Sequence, residues 1–237
     1  MNAFSLAFLI GVLTATSISR AADIIGSITL TGTPPAEVPY TPLMQDPTCG
    51  TLWNTTPTTH FYVVGKSGEL GDVIVFLKDA DGKDITGKST GASAPPAVLD
   101  QKGCLYTPQF MAIQTGQKLT VKNSDPCVHN VDIISKAGNP RHNDAQMPGG
   151  APLNYTFDKP EMFMKFQCDV HPWMFAWVCL FDNPYFSMTG TDGKFVIKNV
   201  PPGKYTVAAD HYKLGTQTQT VEVADKDVTV NFTFAVK

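Results

Sequence analysis

The chain has 237 residues, with 18 Lys and Arg against 21 Asp and Glu, a formal net charge of −3, and 16% charged residues. That length accommodates one large domain or two small ones and is enough to bury a core. The missing basic excess excludes phosphate neutralisation as a source of affinity, hence nucleic acid as a partner, and low charge without long polar runs excludes a disordered chain.

The first element in chain order is an uncharged, mostly apolar run from Phe4 to Ala15, too short to span a bilayer as a helix. It reads as the core of a signal peptide covering residues 1–21, although no Lys or Arg precedes it. Small residues at Ser19 and Ala21 place the cut before Ala22. No later segment reaches eighteen consecutive apolar residues, so the expectation is an exported protein, periplasmic or extracellular, without a transmembrane segment.

Short runs of β-branched and aromatic residues bounded by Gly, Pro, Asn or Asp follow: 24–32, 60–65, 72–79, 117–124, 129–135, 153–157, 162–168 and 175–181, then four more towards the end. Nowhere does an apolar pattern recur at helical spacing over twelve residues with caps, so an all-β sandwich architecture is predicted. Two stretches rich in Gly, Pro and small polar residues, 86–97 and 136–152, are expected to be loops or linkers. The chain divides into residues 24–99, a middle block 100–182 that carries the candidate metal ligands, and residues 183–237. In the last block Asp192-Gly193 occupies the place of a hairpin turn, and Pro201-Pro202-Gly203 forms the next turn.

The mature chain has five cysteines, Cys49, Cys104, Cys127, Cys168 and Cys179, in a compartment where thiols normally pair. Five is odd, so at least one has another job. Spacing does not reveal connectivity. The preferred bridge is Cys49 to Cys104, both in Gly-flanked turns outside the chemistry-bearing segment; Cys127 and Cys179 stay open, as a pair or as free thiols.

That segment is Cys168-Asp169-Val170-His171-Pro172-Trp173-Met174, a CxxHxxM run directly after a strand. A thiolate, an imidazole and a thioether within seven residues can turn onto one soft metal ion. About forty residues upstream, His129 sits where a loop becomes a strand, followed by Asn130-Val131. Two imidazoles, a thiolate and a weak axial thioether are the ligand set of type 1 blue copper, an electron-transfer centre. Each residue also has an ordinary reading. Cys168 can be a buried apolar side chain, each His a satisfied polar one, and Met174 and Trp173 core packing. Met147 and His142 can be further copper contacts or solvated loop residues, and His60 and His211 have no partner at ligand spacing.

At these residues the sequence resembles the cupredoxin family, in its plastocyanin and amicyanin branch, over about residues 100–182. The resemblance implies a Greek-key β-sandwich with one copper ion held by His129, Cys168, His171 and Met174. It implies that Asn130 ties the upstream loop to the ligand loop, and that the His171 edge emerges among Pro172, Trp173 and Phe175 at an apolar surface where redox protein partners dock. The last block and the opening strands 26–35 and 72–79 resemble the small sandwiches of the transthyretin-like or carboxypeptidase-regulatory-like family. This leaves two arrangements: one small sandwich split around the copper domain, or two sequential domains, 24–182 and 183–237.

Function follows from the site. A copper oxidase or reductase needs a second site or a substrate cleft, and five histidines leave few for it; no GxSxG run supports a hydrolase. The expectation is a one-electron shuttle rather than an enzyme. The competing readings are a copper carrier built from the same soft ligands, which would release the ion readily, and a structural sandwich with a vacant site.

Overall fold

Strand pairing links segments near the two ends of the described residues. In a computed structural model, which describes residues 20–236, the strand Ala22–Thr31 pairs with Lys194–Val200 and runs parallel to Val228–Thr229 and Phe232–Ala235. The expected leader, residues 1–21, lies outside the described residues except for 20 and 21. A second sheet orders Phe186–Met188, Ile74–Lys78, Gly203–His211 and Gly215–Val223. Strands from before residue 79 and after residue 185 thus share both sheets of one sandwich, and the intervening chain builds another. The second sandwich has a five-stranded sheet, Phe110–Gln114, Phe175–Phe181, Glu161–Gln167, His129–Ile134 and His142–Gln146, and a four-stranded one, Tyr106–Thr107, Ala97–Gln101, Leu119–Asn123 and Leu153–Tyr155.

The fold is all-β, and its four sheets stack as layers. Ile28, Val75, Leu77, Val207 and Phe234 fill the first sandwich; Leu99, Val121, Val131, Phe166 and Val178 fill the second. Between the sandwiches lies a third apolar cluster of Ile74, Phe76, Cys179, Phe181 and Ala208. Side chains alternate faces along a strand. The strand Ile74–Lys78 therefore sends Val75 and Leu77 one way and Ile74 and Phe76 the other. Its uninterrupted apolar run has this cause: both faces are buried.

Several segments differ from the sequence reading. Residues 60–65 form no strand; Val64 makes one isolated bridge to Leu70, and Gly68, at φ +90°, turns the chain instead. Phe61 and Tyr62 stack on Tyr212 and His211, which explains their apolarity without a ladder. Within the expected loop 136–152, His142–Gln146 is an edge strand paired to His129–Ile134, its polar side chains suiting an edge. The turns at Asp192-Gly193 and Pro201–Gly203 join strands of opposite sheets and are not hairpins. At Gly193, φ +66°, a Cβ would meet the Ile28 carbonyl at 2.5 Å. Finally, the strand Ala97–Gln101 crosses the expected 99/100 boundary. The segment carrying the helix Thr41–Gln45 and the 3-10 turn Cys49–Leu52 packs Tyr40, Leu43 and Cys49 into the core of the middle sandwich.

Candidate metal centre

Two elements bring the ligands together. His129 opens the strand His129–Ile134, and the loop before it is shaped by Asn123, whose side chain accepts the Asp125 N–H and donates to the carbonyls of Cys127 and Gln146. The strand Glu161–Gln167 delivers Cys168, after which the chain closes a tight loop: Cys168 N–H donates to Met174 O at 3.1 Å, and Met174 N–H to His171 O at 2.9 Å. Glu161–Gln167 pairs directly with His129–Ile134, Gln167 opposite Asp132, so both carriers are neighbours in one sheet.

Three donor atoms converge. His129 Nδ1 lies 2.9 Å from His171 Nδ1, and Cys168 Sγ lies 4.0 Å and 3.7 Å from them. All three residues are buried, with His129 at 0% and His171 at 5% exposure. A cation bound at about 2.0 Å from nitrogen and about 2.3 Å from sulfur separates such donors by roughly 3.5 Å, so the set fits one small ion. Met174 is fully buried in the apolar cluster that also holds Cys168. His142 packs tilted against Tyr155 and faces Asp144, Met147 is exposed, and His60 and His211 lie outside the cluster; the structure brings none of these to it.

Hydrogen bonds orient the rings. His129 Nε2 faces Asp125 Oδ2 at 3.0 Å, which leaves Nδ1 for an ion, and the Asp125 carboxylate also accepts the N–H groups of Gly103 and Cys104. Asn130 Oδ1 accepts the Asp169 N–H at 2.7 Å while its Nδ2 donates to Asn143 and Asp169, joining the strand, the ligand loop and the edge strand. Burial disfavours the charged form of His129, but the Asp125 carboxylate and the Cys168 sulfur outweigh it and hold its pKa above the ordinary value. Burial acts against the Cys168 thiolate as well; the His129 hydrogen bond and backbone amides win and lower its pKa. His171 is lowered, by burial first and then by His129.

The His171 edge departs from what the resemblance implies. Its Nε2 faces Asp46 Oδ2 at 4.0 Å, and the ring is buried rather than emergent, because the 40–53 segment lies beside it. Asp46 is anchored in turn by accepting the N–H groups of Thr48 and Cys49. Of the expected docking residues, Pro172 is exposed, while Trp173 and Phe175 are half-buried; Trp173 packs on His171 at a ring separation of 5.2 Å and donates to the Cys104 carbonyl. Cys49 and Cys104 form a disulfide, which pins the 40–53 segment to the sandwich. Cys179 is packed between the sandwiches, accepting the Phe163 N–H; burial pushes its thiol far up. Sequence reasoning assigned no role to Asp125 or Asp46. Asp125 lay within the upstream motif, whereas nothing in the sequence relates Asp46 to His171.

Comparison with known proteins gives partial similarities. Residues 185–237 match the family model of the BOS complex subunit NOMO1-like, second beta sandwich domain. No curated protein matches the chain. Among solved structures, the chain is similar to a Novel Purple Cupredoxin from Nitrosopumilus maritimus, with 22% identity, 35% of this chain and 98% of that one covered, and a TM-score of 0.31. It is similar to the Cu(I) form of a point mutant of amicyanin, with 15% identity over 45% of this chain and 97% of that one, at a TM-score of 0.33. It is also similar to the Cu-containing nitrite reductase NirK from Thermus scotoductus SA-01, at 18% identity over 43% of this chain and a TM-score of 0.34; the match spans about a quarter of that reductase, 26%. Among the described residues no helix is long and apolar enough to cross a membrane.

Proposed function

We propose that this chain is an exported copper protein that shuttles single electrons between redox protein partners through one type 1 copper site, and that it is not an enzyme. The observation that carries the reading is the convergence of His129 Nδ1, His171 Nδ1 and Cys168 Sγ away from solvent. His129, Cys168 and His171 would hold the ion, with Met174, buried in the same apolar cluster as Cys168, as the fourth ligand. Copper would supply a one-electron couple, in which thiolate and thioether favour the reduced state and imidazole suits the oxidised one.

The chain's own residues keep that couple fast and private. Two paired strands and the Cys168–Met174 backbone bond hold the donors in a fixed geometry, so little rearrangement accompanies a change of charge. Asp125 fixes the His129 tautomer, and Asn130 locks the ligand loop to the strand. Burial excludes water and favours retention of the ion over ready release, which separates this reading from a copper carrier. Partners would dock over Pro172, Trp173 and Phe175, with the Trp173 ring lying against His171.

The test is to add Cu(II) to the purified chain and record visible and EPR spectra. An intense blue thiolate charge-transfer band, absent from Cys168→Ser, is expected. Only the pale colour of nitrogen- and oxygen-bound copper would refute the assignment.

A further inference from the structure

Beside the His129, Cys168 and His171 cluster lies a second sulfur-rich one. Cys127 Sγ is 3.7 Å from Cys104 Sγ, and the donor atoms of Cys49, Cys104, Cys127 and His171 all lie within 4.8 Å of one another. Cys49 and Cys104 are fully buried, whereas Cys127 is half-buried and opens the cluster to solvent. A disulfide that only pinned the 40–53 segment would need two sulfurs; the third is surplus to it. Cys127 is surplus to the first cluster too, since its sulfur lies 3.6 Å from Nε2 of His129, the nitrogen turned to Asp125 and away from Cys168.

One sulfur pair already stands at the spacing of a metal site, while Cys49 and Cys104 are bonded and must part by reduction to join it. With metal–sulfur bonds of about 2.3 Å, two sulfurs of a tetrahedral site are about 3.75 Å apart, and Cys104 and Cys127 stand at 3.7 Å. His171 has a nitrogen for each cluster: Nδ1 faces Cys168, and Nε2 faces Asp46, whose other oxygen accepts the Cys49 N–H at 2.7 Å. Once the Cys49–Cys104 bond is reduced, three thiolates and one imidazole make a structural zinc donor set.

We propose that Cys49, Cys104, Cys127 and His171 form a second metal site, for Zn(II), which the Cys49–Cys104 disulfide closes and a dithiol reductant opens. The balance is simple. The dithiol transfers two electrons and two protons to the Cys49–Cys104 bond, which breaks into two thiols, and leaves as a cyclic disulfide. Zn(II) then displaces the protons of the three thiols to water, with no change in its own oxidation state. The site therefore responds to the thiol redox state of the surroundings, and shares one residue, His171, with the first cluster.

The experiment uses the full chain carrying Cys168→Ser, so that the first cluster offers no thiolate. Zn(II) is titrated against a chromophoric chelator before and after reduction with a dithiol and its anaerobic removal. The expected result is one equivalent taken up at least about a hundredfold more tightly after reduction, a thiolate charge-transfer band with Co(II) in place of Zn(II), and a loss of at least about tenfold in affinity on adding Cys127→Ser. Near-UV circular dichroism checks that the reduced chain stays folded. Equal affinity before and after reduction, undiminished affinity in Cys127→Ser, or loss of the near-UV signal on reduction would each overturn the proposal. Copper spectra of the oxidised wild-type chain test the first cluster separately, so the two readings fail independently.

Discussion

Replacing Asp125 by Asn tests how the metal centre is held. The carboxylate accepts three hydrogen bonds: from Gly103 N at 2.6 Å, from Cys104 N at 2.7 Å and from His129 Nε2 at 3.0 Å. An Asn can place its one amide oxygen where Oδ2 serves both Cys104 and His129. Its NH2 group then points at the Gly103 N–H, donor against donor, in a pocket where the Asp125 side chain is 3% exposed. One buried donor left unpaired costs about 1–3 kcal/mol, and two bonds to a charged acceptor become neutral ones at roughly 0.5–1 kcal/mol each. The expected destabilisation is therefore about 2–5 kcal/mol. Urea unfolding followed by tryptophan fluorescence reads it selectively, because Trp53, Trp173 and Trp177 all belong to the middle sandwich. Copper affinity should fall about 10- to 100-fold in the same variant, the usual consequence of losing a partner that orients a ligand histidine. A stability change within about 0.5 kcal/mol would refute the idea that this carboxylate ties the Gly103-Cys104 turn to the ligand strand.

Burial pushes the His211 pKa down to about 4, against weaker opposing effects of the Phe61 backbone and Glu37. A depressed histidine stabilises the fold above its unfolded value near 6.5, and that stability, about 3 kcal/mol, is lost as pH falls from there towards 4. His211→Asn, which can still accept the Lys213 N–H, should flatten this acid limb in urea titrations at pH 7 and 4.5; an unchanged limb would contradict the assignment. Asp72 behaves oppositely. Burial raises its pKa to about 6, opposed by His60, so its contribution is fully present below pH 3.8 and lost as pH rises through 6. Asp72→Asn should therefore gain up to about 3 kcal/mol on wild type between pH 4 and 7, and also tolerates the φ of 55° at this position. Equal differences at both pH values would count against it. Cys179→Ala should cost about 1–3 kcal/mol by orphaning the Phe163 N–H, while Cys179→Ser, which keeps an acceptor, should cost less, a difference read by urea unfolding of the two variants.

The legible parts of the site were local. His129-Asn130 at a loop–strand junction and Cys168 to Met174 after a strand are each set by a few neighbours in sequence, so their residue types announce a soft-metal chemistry. What surrounds them is not local. Asp46 stands 125 positions before His171, and no periodicity connects a carboxylate just past one short helix with an imidazole in a distant loop. The buried His171 edge is the consequence. The resemblance read from the sequence implied an edge at the surface, but the 40–53 segment, fastened by Cys49–Cys104, lies beside the buried ring. Cys179 shows the same limit: its strand alternation places it opposite Val178 and Leu180, yet only the stacking of two sandwiches supplies the apolar face it meets.

By itself, the sequence determined the all-β class, the short strands with their turn chemistry, and the residue types able to converge on an ion, because propensity and alternation act over a few residues. Tertiary structure alone decided that the strands 22–31 and 232–235 share a sandwich and that residues 60–65 form no strand. It also decided that Cys127 rests against a disulfide beside His171. Those outcomes depend on which faces find each other between segments distant in sequence, a global contest for burial that no local pattern encodes.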